Sequence, residues 1–308
     1  MGHFMKIATT IGEVYAFTQT PAEAVCCYEG TGFQLLDYSF YDLLYPGSPF
    51  LGEDWHRQVE AAGEAADRLG FSFVQAHAPN YNPLNPNVDH TAGMLAAKRS
   101  IEACGKLGIP ALVMHSGYTE RLEYPYDLEK YFQENLDFYR QLYPEMEKHN
   151  VSVLIENSAE GNMGKRCFFM TGAEMAEFLD AADHPLLKAC WDIGHGHMRG
   201  ADQYQEITAL GEKLLAVHIQ DNHGSRDEHT APFFGTVDMD AVMRGLIDTG
   251  YKGYFTFEAD CFLPYGGRAA DAAAQPLCHP PLEVKRASLA LLYQIGKSIL
   301  SAYDCYEY

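Results

Sequence analysis

Short apolar runs rich in β-branched and aromatic residues alternate along the chain with longer amphipathic stretches, at a fairly steady interval. Eight such runs occur, at Lys6–Thr10, Gln34–Tyr38, Phe71–His77, Ala111–His115, Ser152–Glu156, Leu187–Asp192, Leu214–Ile219 and Tyr254–Glu258. Their brevity and composition predict strands. Between them apolar positions recur with helical spacing at Trp55–Leu69, Thr91–Leu107, Leu128–His149, Gly172–Ala182, Tyr204–Leu210 and Met239–Thr249, and a closing helix is expected over Leu282–Ala302. Several of these stretches stop at a glycine just before the next strand, at Gly70, Gly108 and Gly250, as helices do when the chain turns through a left-handed residue. Strand and helix repeated eight times predict a closed parallel (β/α)8 barrel, in which loops at the C-terminal ends of the strands build the active site. Met1–Phe4, ahead of a second methionine at Met5, read as an expression leader, so the expected division is a leader at 1–5 and one barrel domain at 6–308. The alanine-rich stretch Arg268–Gln275, before Pro276, Pro280 and Pro281, reads as a long loop after the eighth strand, placed to cover the site.

Four of the predicted strands end in a metal-ligand type: Glu156 in SVLIE, Asp192 in KACWD, His218 in LAVHIQ and Glu258 in YFTFE. They stand about one strand-helix unit apart, so in a barrel they converge at one mouth. A single acid at a strand end is as readily a helix cap or a solvated loop carboxylate, but that reading strains when four consecutive units repeat it. Three carboxylates and an imidazole form a mixed hard and borderline donor set. It suits one divalent ion, Mn²⁺ best, tolerates Mg²⁺ or Co²⁺, and accepts Zn²⁺ by raw affinity. Two further strand-like runs end in His77 and His115.

Composition narrows what such a site serves. Forty-two acidic against 22 basic residues leave a formal charge of -20 over 308 residues. That field repels polyanions, which argues against a nucleic-acid partner and favours neutral or cationic small molecules. The eight cysteines include no CxxC pair and several lie inside apolar runs, which reads as a reduced, cytoplasmic protein. No stretch reaches the roughly 18 uninterrupted apolar residues of a membrane span. Tyr303, Tyr306 and Tyr308 at the C-terminus hint at a contact within a homo-oligomer, although tail aromatics are often exposed.

The ordered series His77, His115, Glu156, Asp192 with His195 in WDIGH, His218, Asp227 and His229 in SRDEH, and Glu258 resembles the xylose-isomerase-like superfamily. Those barrels include sugar isomerases, ketose 3-epimerases, inosose dehydratases and endonuclease IV. The resemblance to the ketose epimerases implies that metal-bound Glu156 and Glu258 act as acid and base on opposite faces of a sugar or keto-sugar, through a cis-enediolate. It implies that His195 bonds the substrate near its reacting oxygens. His77 and His115 are expected to line the substrate pocket as hydrogen-bond donors, ahead of binding a second metal or lying inert in the core, and Asp227 and His229 to touch substrate or orient His218, ahead of being ligands or solvated loop residues. Where those enzymes carry a glutamate six residues after the strand-five ligand and an arginine six after the strand-seven histidine, this chain has Asn162 and Gly224, with Arg226 as a substitute for the arginine. A lyase of the same fold, removing water or an aglycone after the same proton abstraction, is an alternative. The resemblance to endonuclease IV covers all nine of that enzyme's ligand types, which raises a trinuclear phosphodiesterase that the acidic field opposes. A catalytically retired sugar-binding barrel is the non-enzyme alternative, and it predicts an incomplete site. The aromatics Tyr81, Phe168, Phe169, Trp191, Phe233 and Phe234 could wall a sugar, but such residues more often pack the barrel rim.

Overall fold

Eight parallel strands pair in sequence order and close on themselves, β1 hydrogen-bonding to both β2 and β8. They are β1 (Ile7–Thr10), β2 (Leu35–Ser39), β3 (Ser72–His77), β4 (Ala111–Met114), β5 (Ser152–Glu156), β6 (Leu187–Asp192), β7 (Leu214–Ile219) and β8 (Phe255–Phe257). The structure, a computed structural model, describes residues 4–119, 121–122, 126–158, 169–263 and 280–307. The protein is a single-domain (β/α)8 barrel. Asn162, Phe168, Tyr308 and the stretch Arg268–Gln275 lie outside the described residues.

The helices are α1 (Pro21–Cys26), α2 (His56–Leu69), α3 (His90–Leu107), α4 (Leu128–Arg140), α5 (Tyr143–His149), α6 (Gly172–Ala182), α7 (Ile193–Met198), α8 (Gln203–Leu210), α9 (Met239–Asp248) and α10 (Leu282–Ala302). Gly70 and Gly108 end α2 and α3 in the left-handed conformation, at φ 71° and 69°, as the glycine positions predict. The expected helix Leu128–His149 is instead two, α4 and α5, because Pro144 in the first turn of α5 has no N–H and its ring collides with the carbonyl four residues back. Two short helices carried too little periodicity to be predicted. In α1, the Thr20 hydroxyl caps Glu23 N while the Glu23 carboxylate accepts from Gln19 N, a reciprocal arrangement that stabilises even a six-residue helix. The other, α7, starts directly at Asp192.

Side chains alternate across each strand, and this alternation builds the site. Outward residues such as Leu112, Val153, Ile155, Trp191, Val217 and Phe257 pack against the helices in one continuous core. Inside the barrel a separate, smaller cluster of Ala111, Val113, Leu154, Cys190 and Ala216 fills the floor. Two residues further along the same strands, the inward positions become His115, Glu156, Asp192 and His218. A polar side chain of metal-ligand type therefore sits above each of these apolar residues. At the rim, the fully buried Lys285 of α10 donates to Phe262 O at 2.7 Å and pairs with Glu13 at 3.6 Å, tying the closing helix to the segment after β8. Among the described residues no helix is long and apolar enough to cross a membrane. Tyr303 and Tyr306 are partly covered within the chain, bonded to Asp240 and Tyr293 respectively.

Candidate metal centre

Glu156 lies at the centre of the barrel mouth, 1% exposed. Its Oε1 accepts from His218 Nδ1 at 2.7 Å, and its Oε2 stands 2.9 Å from His115 Nε2 and 3.5 Å from His77 Nε2. Glu258, the residue after β8, faces it across His218, with Oε2 3.1 Å from the same Nδ1. Asp192 completes the group as the cap of α7: its Oδ1 accepts from His195 N at 2.6 Å and from the Gln220 amide at 3.3 Å. Its Oδ2 is buried and has no hydrogen-bond partner among the described residues. The ligand atoms of Glu156, Asp192, His218 and Glu258 lie within 4.8 Å of one another, close enough for one cation. A buried carboxylate oxygen without a donor, inside a ring of three carboxylates and an imidazole, fits a divalent ion.

Four triads among the described residues lie equally close: His77, His115 and Glu156; His77, His218 and Glu258; Glu156, Cys190 and His218; and His195, Asp227 and His229. In the last, Asp227 Oδ2 stands 2.9 Å from His229 Nε2 and 3.2 Å from His195 Nε2. Three of these imidazoles share a device. His77, His195 and His229 each turn Nδ1 toward a backbone carbonyl, of Ala78, Asn157 and Glu258, at 2.8, 2.9 and 3.0 Å. A carbonyl can only accept, so Nδ1 carries the proton and Nε2 faces the site. His218 has the opposite polarity, with Nδ1 toward the carboxylates.

Protons occupy part of this charge in the metal-free chain. Burial disfavours a charged His218, but Cys190, Glu258 and Glu156 outweigh it and hold its pKa well above the imidazole range. Burial acts the same way on His195, and Asp192 and Asp227 lift it to about 10. For Glu258, burial works upward, while the charge and hydrogen bond of His218, with His229, bring it down to about 2. Asp192 is pushed up to about 6, chiefly by burial, with His195 only partly offsetting it. Asp192 is thus the one carboxylate of the group of four that the neighbouring histidines do not bring down.

A cavity of about 160 Å³ opens above these groups. His77, His115, His195, Asp227, His229 and Glu258 line it, together with Thr10, Gly12, Ser39, Tyr41, Asp42 and Asp260. A larger cavity, about 580 Å³, lies at the other end of the strands around Val74, Ala111, Leu214 and Tyr254 and touches none of the ligands.

The family model for xylose isomerase-like TIM barrels matches residues 33–285. The chain belongs to that family. Among relatives of this family member, an uncharacterized protein of Sinorhizobium fredii is 26% identical over 171 residues, 54% of this chain and 52% of that protein. Fructoselysine 3-epimerase of Escherichia coli O157:H7 is 35% identical over 74 residues, 24% of this chain and 27% of that enzyme. The chain therefore spans about half of the first relative and a quarter of the second. Among solved structures, a D-tagatose 3-epimerase-like protein superposes with a TM-score of 0.73 at 17% identity, covering 97% of this chain and 98% of that one, a likeness of fold.

Within this xylose isomerase-like barrel the structure gathers nine of the ten residues expected at the site. Arg226 stands apart: its side chain is 82% exposed and lies 3.8 Å from Glu228, which also holds His223. Gly224 has φ 78°, and the first atom of a side chain there would meet His197, so an arginine at that position would be strained. Of the aromatics, Trp191 and Phe169 are fully buried, Tyr81 packs on Phe138, and Phe233 and Phe234 are exposed; among the described residues none lines the cavity. Rim packing accounts for the first three. Thr10, Ser39, Tyr41 and Asp42 escaped the sequence reading because β1 and β2 end in residues that are common at any strand end. The run Thr9-Thr10 and the pair Tyr41-Asp42 after β2 were the available signals.

The Asp-Ile-Gly-His segment has a packing reason as well. A Cβ on Gly194 would fall 2.1 Å from the Gln220 amide carbon, and Gln220 donates to both Asp192 and Asp227. Gly194→Ala is expected to cost about 1–3 kcal/mol of stability, typical of overpacking, and to weaken metal binding by displacing Gln220. Thermal unfolding and metal titration of the variant check both; a variant that matches the parent in both would show that Gln220 moves aside freely.

Proposed function

We propose that the protein is a divalent-metal-dependent sugar isomerase or epimerase that moves a proton next to a carbonyl. The observation that carries this reading is the pair Glu156 and Glu258, converging on one imidazole nitrogen at 2.7 and 3.1 Å beside a cavity of about 160 Å³ that Glu258 lines. The names of two similar proteins, fructoselysine 3-epimerase and a D-tagatose 3-epimerase-like protein, point the same way.

Glu156, Asp192, His218 and Glu258 would hold the metal, Mn²⁺ by the balance of its donors. When bound, the ion supplies Lewis acidity that stabilises negative charge on a substrate oxygen. The chain's own residues do the rest. One of the two glutamates, ionised, takes the proton beside the carbonyl, and the other, carrying a proton of its own drawn from solvent, delivers that proton to the opposite face, so the product's configuration depends on which face receives it. In the free chain histidines hold both ionised, Glu258 by His218 and His229, and Glu156 by His218, His115 and His77 against the effect of burial, so either can act first as the base. His195 is placed to bond a substrate oxygen through Nε2, its Nδ1 being fixed on Asn157 O. His77, His115, Asp227 and His229 bind the remaining hydroxyls or orient the carboxylates.

Incubating the Mn²⁺-loaded protein with unphosphorylated keto-sugars in deuterated water, and following both deuterium uptake and loss of water or aglycone, tests the proposal. Uptake at one carbon without elimination supports it. Uptake with elimination turns the assignment to a lyase, and no uptake in any ketose leaves a retired barrel. The group of four and the triads His77–His115–Glu156 and His195–Asp227–His229, with Glu156 common to the first two, favour one second reading, a trinuclear phosphodiesterase. The charge of -20 opposes binding to a phosphate backbone. A metal count of three per chain with cleavage of an abasic duplex would establish it, and one per chain without cleavage would end it.

A further inference from the structure

The layer of inward side chains directly beneath the ligands is not uniform. On β4 to β7 it is Val113, Leu154, Cys190 and Ala216. On β2, β3 and β8 it is Asp37, Gln75 and Thr256, at 1%, 2% and 1% exposure. Asp37 and Gln75 are register partners across β2 and β3. Both Asp37 oxygens are buried without a hydrogen-bond partner among the described residues, and the reaction proposed above uses neither residue. A carboxylate and an amide sunk in a barrel core are costly unless they act on something.

What they reach is His218. The Gln75 Nε2 lies 3.0 Å from His218 Nε2, and its Oε1 accepts from Thr256 at 3.4 Å. With the amide nitrogen toward the ring, His218 could only accept at Nε2, an arrangement that keeps its one proton on Nδ1 toward Glu156 and excludes a charged ring. That arrangement blocks the lone pair a metal needs. Turning the amide by 180° exchanges oxygen for nitrogen at the same positions. His218 then donates Nε2–H to Gln75 Oε1, Nδ1 is free to ligate, and the amide N–H groups are left on the side of Thr256 and the unpartnered Asp37. His77, His195 and His229 are fixed by backbone carbonyls, which only accept. His218 is backed by a group that can do either.

We propose that Gln75, anchored by Thr256 and Asp37, is the positioning residue that makes His218 a metal ligand, its amide turning oxygen-first to fix the Nε2–H tautomer. This rests on the reading of His218 as a ligand of the proposed metal. A histidine ligand whose remote N–H loses its acceptor loses affinity for its metal, by about 10- to 100-fold in characterised sites.

Calorimetric titration of the metal-stripped full chain with Mn²⁺ tests this, on the parent and on Gln75→Met, Gln75→Glu, Asp37→Asn and the Asp37→Asn/Gln75→Met pair. Gln75→Met keeps the volume and removes the acceptor, so affinity should fall about 10- to 100-fold. Gln75→Glu offers an oxygen in every orientation and should bind within a few-fold of the parent. Asp37→Asn should weaken binding less than Gln75→Met and add nothing in the pair, since both act through one amide. Unchanged affinity in Gln75→Met overturns the proposal, as does a loss in Gln75→Glu equal to that in Gln75→Met. If Gln75→Met does not fold, as read by thermal unfolding of the metal-free form, Gln75→Glu decides: parent-like binding supports the role and a tenfold loss overturns it. His218→Ala separates the two levels of inference. Parent-like Mn²⁺ affinity in that variant sinks the metal assignment and this proposal together, whereas weakened His218→Ala with unchanged Gln75→Met sinks this proposal only.

Discussion

Glu258→Gln lowers turnover by about 10²–10⁴-fold, the usual worth of a positioned acid-base group, and weakens metal binding in the same variant. The two losses belong together because one carboxylate does both jobs. Its Oε2 stands 3.1 Å from His218 Nδ1, within the ligand group, while the side chain also lines the cavity where substrate would lie. The amide that replaces it keeps the shape and one acceptor oxygen, but it carries no charge and cannot take a proton at neutral pH. Steady-state kinetics on whichever ketose exchanges deuterium, alongside Mn²⁺ titration, measure both. Parent-level turnover in Glu258→Gln would remove the glutamate from the mechanism. Parent-level metal affinity with lost turnover would keep it as a proton carrier and remove it as a ligand.

Loading the metal-free protein with Mn²⁺ at pH 7 releases at least one proton. His218 is held well above its ordinary value, with burial opposing and Cys190, Glu258 and Glu156 prevailing, so it is protonated at neutrality and must shed that proton to ligate. Affinity should therefore rise about tenfold per pH unit for each proton released, as long as the pH stays below that raised value. Titrations in two buffers of different ionisation enthalpy count the protons, and identical apparent enthalpies would refute the release. Stability of the metal-free form follows from the same charges. His195 rises from 6.5 to about 10 on folding, so its contribution is fully present below pH 6.5 and is lost as pH rises through about 10. Asp192, raised to about 6 by burial, likewise favours the fold while protonated, below about pH 4, and loses that contribution as pH rises through 6. The melting temperature of the stripped protein should fall from pH 6 to pH 10.

The strands and most helices were legible because each is a local pattern. All eight strands start within one residue of the expected position and three, β5, β6 and β7, match at both ends, since a buried parallel strand must be a short apolar run. The break between α4 and α5 was also written in the chain, at Pro144, but the amphipathic spacing continues across it and hides it. Helix α7 was missed because its residues, Ile193–Met198, have no apolar stripe: it forms because Asp192 caps it, and it is held by the buried environment of the site.

The ligand types at the strand ends could be read for a related reason. Period two puts Leu154 and Glu156, Cys190 and Asp192, Ala216 and His218 on one face of their strands, so the last inward residue of each strand was identifiable from its own neighbours. What sequence could not supply is everything that depends on strands meeting across the barrel. Gln75 and His218 are 143 residues apart and touch at 3.0 Å only because closure brings β3 and β7 to face each other. The burial of Asp37, the outward turn of Arg226 toward Glu228, and the choice of Nδ1 in His218 against Nε2 in His77, His195 and His229 are of the same kind. By itself the sequence determined the barrel, its strand order and the chemistry offered at its mouth, because alternation and caps act over a few residues. Only the tertiary structure decided which ring nitrogen faces which oxygen, because that is set by register and closure between strands that no local pattern encodes.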